Sequence, residues 1–320
     1  MLHGPTDEDQ SLMVGEYSTA GFPVVGVKYR MAGPANTIDG RPVFRAVGTD
    51  IDWEAIGSDP MVIRENSERV KGRFRPHEGT PHDEPAAVVA YGQSLTETWE
   101  LLKGFSVIFT CSGSHKFLLE RGIVPTYHID SDPRTHKVAM LGTPNPNVTY
   151  LIASICHPTY FDLLERYEIP KVLLWHILFF EPEIYANYPK GELLLTGGNT
   201  VGPRAIKMAR MLGYTDLHFF GFDASAGYAG YHKNAPTKFR PCEYDGKTYW
   251  TTYNLVEHAK MLFADLDRMP DVKMHFYGDG LIQAIAKNYV RTPRAPLPMG
   301  VVACHPNLVY QTLRRQNGSR

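Results

Sequence analysis

VVAYGQSLTETWELL, at residues 88–102, decides the fold of this chain. An apolar run too short for a buried helix leads into Gly92-Gln93-Ser94, and a helix-like segment follows. That is a strand–turn–helix unit. The turn either cradles a phosphate or is only a tight corner. Gly92 tolerates positive φ and lets a ligand approach the backbone. The next helix offers N–H groups and a positive dipole end, and Ser94 adds a hydroxyl. No Gly-Lys-Ser/Thr follows, and the three spaced glycines of a dinucleotide fingerprint are missing. On the turn alone both readings stand.

The unit recurs along the chain. Apolar runs at 106–110, 126–130, 148–153, 171–175, 216–221 and 272–277 alternate with helix-like segments at 114–121, 157–167, 200–212, 253–268 and 280–287. Continuous apolar strands separated by helices imply a mostly parallel sheet covered on both faces. The expected fold is α/β, a Rossmann-like doubly wound sheet spanning 85–290. Residues 1–84, rich in Gly, Pro and charge, read as an N-terminal extension of irregular or small β character. Residues 291–320 read as a mostly irregular C-terminal tail.

Composition narrows the function classes. The chain has 320 residues, 43% hydrophobic and 21% charged, enough for a substantial core. A formal net charge of −1 gives no strong nucleic-acid signal. Cys111, Cys156, Cys242 and Cys304 are widely scattered, which favours free thiols in a reducing compartment. The acidic start MLHGPTDEDQSL has no leader pattern, and the run VLLWHILFF at 172–180 is too short to span a bilayer. A cytoplasmic protein without a membrane span is expected, with its oligomeric state left open.

In such folds ligands bind beyond the carboxyl ends of the strands, so the residues there are the candidates. After Gly92, Gln93 and Ser94 come Ser112 and Gly113, which border the same crevice, with Ser114 read as a helix N-cap. Asp130 and Asp132 lie two apart in HIDSDPRTH, where alternate residues can face one hard cation such as Mg²⁺. An Asx-type turn before Pro133 is the structural alternative. Gly197, Gly198, Asn199 and Thr200 precede a helix ended by Gly213 and form a second candidate anion site. Asp223, at a strand end, is a candidate for a ribose, metal or substrate hydroxyl. The loop SAGYAGYHKN at 225–234 places His232 as a candidate acid or base and Lys233 as a phosphate neutraliser. His128, His136, His157 and His176 are weaker candidates, His157 also as a capping residue.

Taken in order, these segments resemble the MptE-like domain, named for the archaeal hydroxymethylpterin diphosphokinase. Its relatives include the motility-associated flagellin glycosyltransferases and, more distantly, bacterial sialyltransferases that use a CMP-sugar. The family's Gly-x-Gly-Pro-Ser-Leu turn is similar to Ala90-Tyr91-Gly92-Gln93-Ser94-Leu95. FLLERGIVPTYHIDSDP at 117–133 resembles its Leu-x-x-x-Gly-Ile-x-Pro segment, which ends in Asp-Pro. GGNTVGPRAIKMARMLGYTDLHFFGFD at 197–223 resembles its glycine-led helix and following strand. The segments at 244–266 and 272–285 complete a likeness covering about 85–290. This chain departs from the family at Ala90 and Gln93, where glycine and proline stand, and at Thr126, often Asp.

The resemblance implies a transferase with a nucleotide or nucleotide-sugar donor. Gly92, Gln93 and Ser94 would hold the donor, with Ser112 and Gly113 beside its base or ribose. Asp130 and Asp132 would carry Mg²⁺, if a metal is used. Gly197, Gly198, Asn199 and Thr200 would form the facing wall. Asp223 would sit near the reacting centre with His232 as acid or base, and Asp130 would share the catalytic role. Glycosyl transfer is the first expectation. ATP-dependent diphosphokinase chemistry is the alternative, and a non-catalytic module with a decayed nucleotide site is the third reading.

Overall fold

A computed structural model describes residues 60–77, 80–178, 188–189, 191–195, 200–226 and 239–292, with short strand fragments at 29–31, 37–38, 41–42, 44–46 and 300–302. The expected strands form as β1 (Ala86–Val89), β2 (Val107–Cys111), β3 (Tyr127–Asp130), β4 (Thr149–Ala153) and β5 (Val172–Ile177), then, after a further short strand β6 (Leu193–Leu195), β7 (Asp216–Phe220). A hairpin follows, β8 (Arg240–Tyr244) with β9 (Lys247–Thr251), and then β10 (Lys273–Tyr277) and β11 (Gly300–Val302). The sheet order is β10-β7-β1-β2-β3-β4-β5-β6-β11, and all pairings are parallel except that of β11. This is the doubly wound, Rossmann-like α/β architecture read from the apolar runs.

The order fixes where a site can form. From β1 the chain adds strands in one direction out to β6. It then returns through α6 (Val201–Met211) to place β7 on the other side of β1. The carboxyl ends of β1 and β7 therefore flank the point where the winding reverses, the usual ligand crevice of open α/β sheets.

Both faces of β1 are buried, as a central parallel strand requires. Ala86 and Val88 join the larger core, while Ala87 and Val89 join a second core with Leu95, Leu102, Ile108, Phe117, Leu118 and Phe220. Alternation with period two sends successive side chains into the two cores. Each fully buried valine contributes roughly 1.5–3 kcal/mol. α6 packs across β1, β2 and β3. Its Gly202 lets Phe222 lie close, since a Cβ there would meet the ring at 2.8 Å. Gly213 ends the helix at φ +100°, as its place in the sequence predicts.

Three elements were not legible in the apolar runs. α1 (Pro60–Arg69) lies inside the stretch read as irregular or small β, whose described upstream part is indeed short strand pairs. Ile63 and Phe74 reach the main core, and Asn66 Nδ2 donates to the Ser154 and Cys156 carbonyls at 2.8 and 2.9 Å. A polar helix with one apolar stripe gave little periodic signal. α4 (His136–Leu141) is short, and the hairpin is largely exposed. Within the segment read as a tail, residues 300–302 add the antiparallel edge strand. Cys111, Cys156 and Cys242 are free thiols. Among the described residues no helix is long and apolar enough to cross a membrane.

Candidate functional site

The turn after β1 answers the question raised by its sequence. Gly92 N–H donates to the Gly221 carbonyl at 2.9 Å. Ser94 N–H donates to Asp223 Oδ2 at 2.7 Å, and the Ser94 hydroxyl donates to Asp223 Oδ1 at 2.5 Å. Gln283 Nε2, from α8 (Leu281–Asn288), donates to Asp223 Oδ1 at 3.0 Å and to the Tyr277 carbonyl at 2.9 Å. Asp223 is 4% exposed, and burial raises its carboxyl above the ordinary aspartate range while the Ser94 and Gln283 bonds pull it back. A protein carboxylate thus stands at the start of α2 (Leu95–Thr98), where an incoming phosphate was expected. The turn is a latch that ties the ends of β1, β7 and β10 together.

The glycines around this latch have no room for a side chain. A Cβ on Gly92 would meet the Gly221 carbonyl oxygen at 2.4 Å and Asp223 Oδ2 at 2.6 Å. Gly221 itself holds φ +67° against the Ala90 carbonyl. The Gly92→Ala chain is therefore expected to lose on the order of 2 kcal/mol through forced backbone displacement. Thermal unfolding checks this, and an unchanged midpoint would show that the turn yields at no cost.

Beside the latch, Tyr91 is 49% exposed, with its ring edge-on to Phe117. Gly113 lies under that ring, where a Cβ would approach it to 2.7 Å and the Met140 methyl to 3.1 Å. Ser112 takes φ +54°, uncommon for a residue with a side chain, and its hydroxyl faces Met140 Sδ at 3.9 Å. Gly113, not Ser114, occupies the N-cap of α3 (Ser114–Leu119). Ser114 is instead buried and ties two strand ends: Cys111 N–H donates to its Oγ, which is 2.8 Å from the Val89 carbonyl. The ends of β1 and β2 and the helix α4 thus converge on Tyr91.

The end of β3 is more polar. Asp130 Oδ1 accepts the Ser131 and Asp132 N–H groups at 2.7 and 3.1 Å, the turn geometry foreseen before Pro133. Burial, with Asp132 adding to it, pushes the Asp130 carboxyl up to about 6. Asp132 accepts Arg134 Nε on Oδ1 at 2.8 Å and Arg134 Nη2 on Oδ2 at 2.5 Å, with Lys137 Nζ 3.4 Å from Oδ2. Arg204 Nη1 reaches Ser131 Oγ at 3.3 Å.

Both Asp132 oxygens face Arg134 and Lys137, so a Mg²⁺ ion on this pair would have to displace those cations, while Asp130 Oδ1 is taken by the turn.

The histidines sort by burial. His128 lies in the core between Thr110 and the Tyr160 hydroxyl. Burial holds His128 far below the ordinary imidazole range, and His176, bonded to Ser154, is pushed down to about 3. Both serve the core. His157 caps α5 (Pro158–Arg166), accepting the Thr159 N–H, as its alternative reading held, and His136 is exposed at the start of α4. His258, on α7 (Tyr253–Leu266), was not singled out, yet its Nδ1 lies 2.7 Å from Thr200 Oγ1 at the N-terminus of α6.

Of the expected site residues, the fold brings Gly92, Ser94 and Asp223 into one group. It sets Ser112 and Gly113 beside Tyr91, and Asp130 and Asp132 together at the next strand end. Gln93 lies in the latched turn. Gly197, Gly198, Asn199, His232 and Lys233 lie outside the described residues. Tyr91, Arg134, Lys137 and Gln283 were missed. An exposed aromatic and two scattered cations carry no motif, and the reach of Gln283 to Asp223 spans 60 positions.

No curated protein matches the chain. Among solved structures the chain is similar to the MAf glycosyltransferase from Magnetospirillum magneticum AMB-1, at 17% identity and a TM-score of 0.55. That alignment covers 81% of this chain and 42% of the glycosyltransferase, so the chain spans less than half of that protein's length. The likeness establishes a shared fold. The profile of the family described as 6-hydroxymethylpterin diphosphokinase MptE-like matches residues 61–228, which takes in α1, β1 to β7 and the latch at Asp223. With more than half of its length matched, the chain belongs to this MptE-like family.

Proposed function

We propose that the protein is a transferase acting on a nucleotide-activated donor, with glycosyl transfer as its chemistry. The observation that carries this reading is the exposed Tyr91 ring at the winding reversal, above Gly113, on which Met140 of α4 also closes, with Lys137 on that helix and Arg134 just before it. A donor base would stack on Tyr91, and its ribose would lie against Ser112 and Gly113. Arg134 and Lys137 would meet the phosphates, exchanging part of their pairing with Asp132. The latch of Gly92, Gln93, Ser94 and Asp223 would hold this floor rigid. Asp130, with a carboxyl that titrates near 6, is suited to move a proton at the reacting centre. His232 is retained as an acid or base from its position in sequence, and Gly197, Gly198, Asn199 and Thr200 as the facing wall. Catalysis would rest on positioning and on neutralising the departing phosphate.

The family description supports a second reading, transfer of diphosphate from ATP to a hydroxymethyl group. Calorimetric titration with CMP- and UDP-sugars and with ATP, each with and without Mg²⁺, followed by analysis of the released nucleotide, separates the two. Sugar-nucleotide binding with release of a nucleotide phosphate supports glycosyl transfer. Release of AMP supports the diphosphokinase. Binding without turnover over a broad acceptor panel would leave a non-catalytic module. Tyr91→Ala should weaken nucleotide affinity by about 10-fold or more, since base–aromatic stacking contributes roughly 1–3 kcal/mol. Its unfolding midpoint should not change, because the ring is half exposed. Unaltered affinity would remove Tyr91 from the donor site.

A further inference from the structure

Away from the crevice, at the amino-terminal half of the last two parallel strands, β7 and β10 place His218 opposite His275 and Asp216 opposite Lys273. Alternation sends Asp216, His218, Lys273, His275 and Tyr277 to one face of the sheet. The two imidazoles stack with centroids 4.2 Å apart. His275 Nε2 lies 2.9 Å, and His218 Nε2 3.4 Å, from the same oxygen, Asp216 Oδ1.

We propose that Asp216, His218 and His275 form a binding site for a borderline divalent cation of the zinc type, which clips β10 to β7. Their ligating atoms all lie within 4.8 Å of one another. Tetrahedral zinc with bonds of about 2.0 Å holds its donors about 3.3 Å apart, close to the two separations to Asp216 Oδ1, and the two stacked rings would turn apart to aim both Nε2 lone pairs at one ion. Two imidazoles and one carboxylate select such an ion over Mg²⁺ or Ca²⁺.

The surroundings can hold the ligating form. His218 Nδ1 is 2.8 Å from the Tyr277 hydroxyl, and the ring rests edge-on against Phe105. With Nδ1–H donated to that hydroxyl, the Nε2 lone pair is free to ligate an ion that Asp216 Oδ1 also holds. Lys273 Nζ lies 3.5 Å from Asp216 Oδ2, leaving Oδ1 to the metal. His275 borders solvent, so the fourth position is open to water.

The test uses the full chain, stripped on a chelating resin and titrated with Zn²⁺ by calorimetry, with Co²⁺ absorption reporting the coordination. One ion per chain is expected. Asp216→Asn and His275→Ala should each weaken binding by about 100-fold or more, and Tyr277→Phe, which removes only the orienting partner, by about 10-fold. His77→Ala, an exposed histidine elsewhere, should bind as the parent does. Metal-free unfolding curves establish that each variant is folded, and His275→Ala disturbs packing least because the ring is half exposed. No saturable Zn²⁺ binding by the parent, or binding unchanged in both ligand variants, overturns the proposal. The readout is metal binding itself and is independent of the transfer reaction proposed above.

Discussion

Asp223→Ala should destabilise the chain by about 3–5 kcal/mol, the largest single-residue effect expected at the crevice. The carboxylate accepts the Ser94 N–H, the Ser94 hydroxyl and Gln283 Nε2, and it is buried. Each buried donor left without an acceptor costs roughly 1–3 kcal/mol. Removing the buried charge returns part of that sum, because burial already raises the Asp223 carboxyl above its ordinary range. Asp223→Asn should not rescue. Its amide offers one acceptor oxygen and turns an NH₂ toward donors. Ser94→Ala, which keeps the backbone bond and loses only the hydroxyl, should cost about 1–2 kcal/mol. Chemical denaturation of the three variants gives the ordering. If Asp223→Ala is as stable as the parent but loses activity, the carboxylate works on the substrate and the latch is incidental.

Asp130→Asn should have the opposite sign. The Asp130 carboxyl is raised from 3.8 to about 6, first by burial and then by Asp132. A carboxyl with a higher pKa when folded binds more protons in the folded than in the unfolded state between those two values. Stability therefore falls as the pH rises from about 4 to about 6, and the loss is complete above that window. The shift corresponds to roughly 2–3 kcal/mol at pH 7. An asparagine oxygen can still accept the Ser131 and Asp132 N–H groups, so the turn survives. The variant should gain about 2 kcal/mol at pH 7, gain little at pH 4, and lose the falling slope between. If the proposed transfer reaction uses this carboxyl, activity falls as stability rises. Denaturant midpoints across pH 4–8 decide the first part. Equal stability of variant and parent at pH 7 would mean that the carboxylate is already compensated by Arg134 and Lys137.

The amino-acid sequence alone determined the architecture of this protein. Runs such as 86–89 and 150–153 are apolar on both faces, and only a central parallel strand covered on both sides buries both. Helix ends marked by Gly213 and by His157-Pro158 are equally local, because backbone dihedrals and capping bonds involve neighbours in the chain. α1 escaped because its apolar positions are few and its burial depends on Ser154 and Cys156, some ninety positions away. The site divides in the same way. That the turn at Gly92 and the strand ends at Ser112, Asp130 and Asp223 matter follows from their place after apolar runs. What each does was decided only by the tertiary structure. Winding reverses beside β1, so Asp223 is delivered to the Ser94 turn and fills it with a carboxylate. Arg134 and Lys137 close on Asp132 while Asp130 holds the turn, so two aspartates that look equivalent in sequence have different partners in space. Hydrogen bonds and charges act over about 3 Å between residues that the sequence separates by up to 129 positions, and no local pattern encodes those distances.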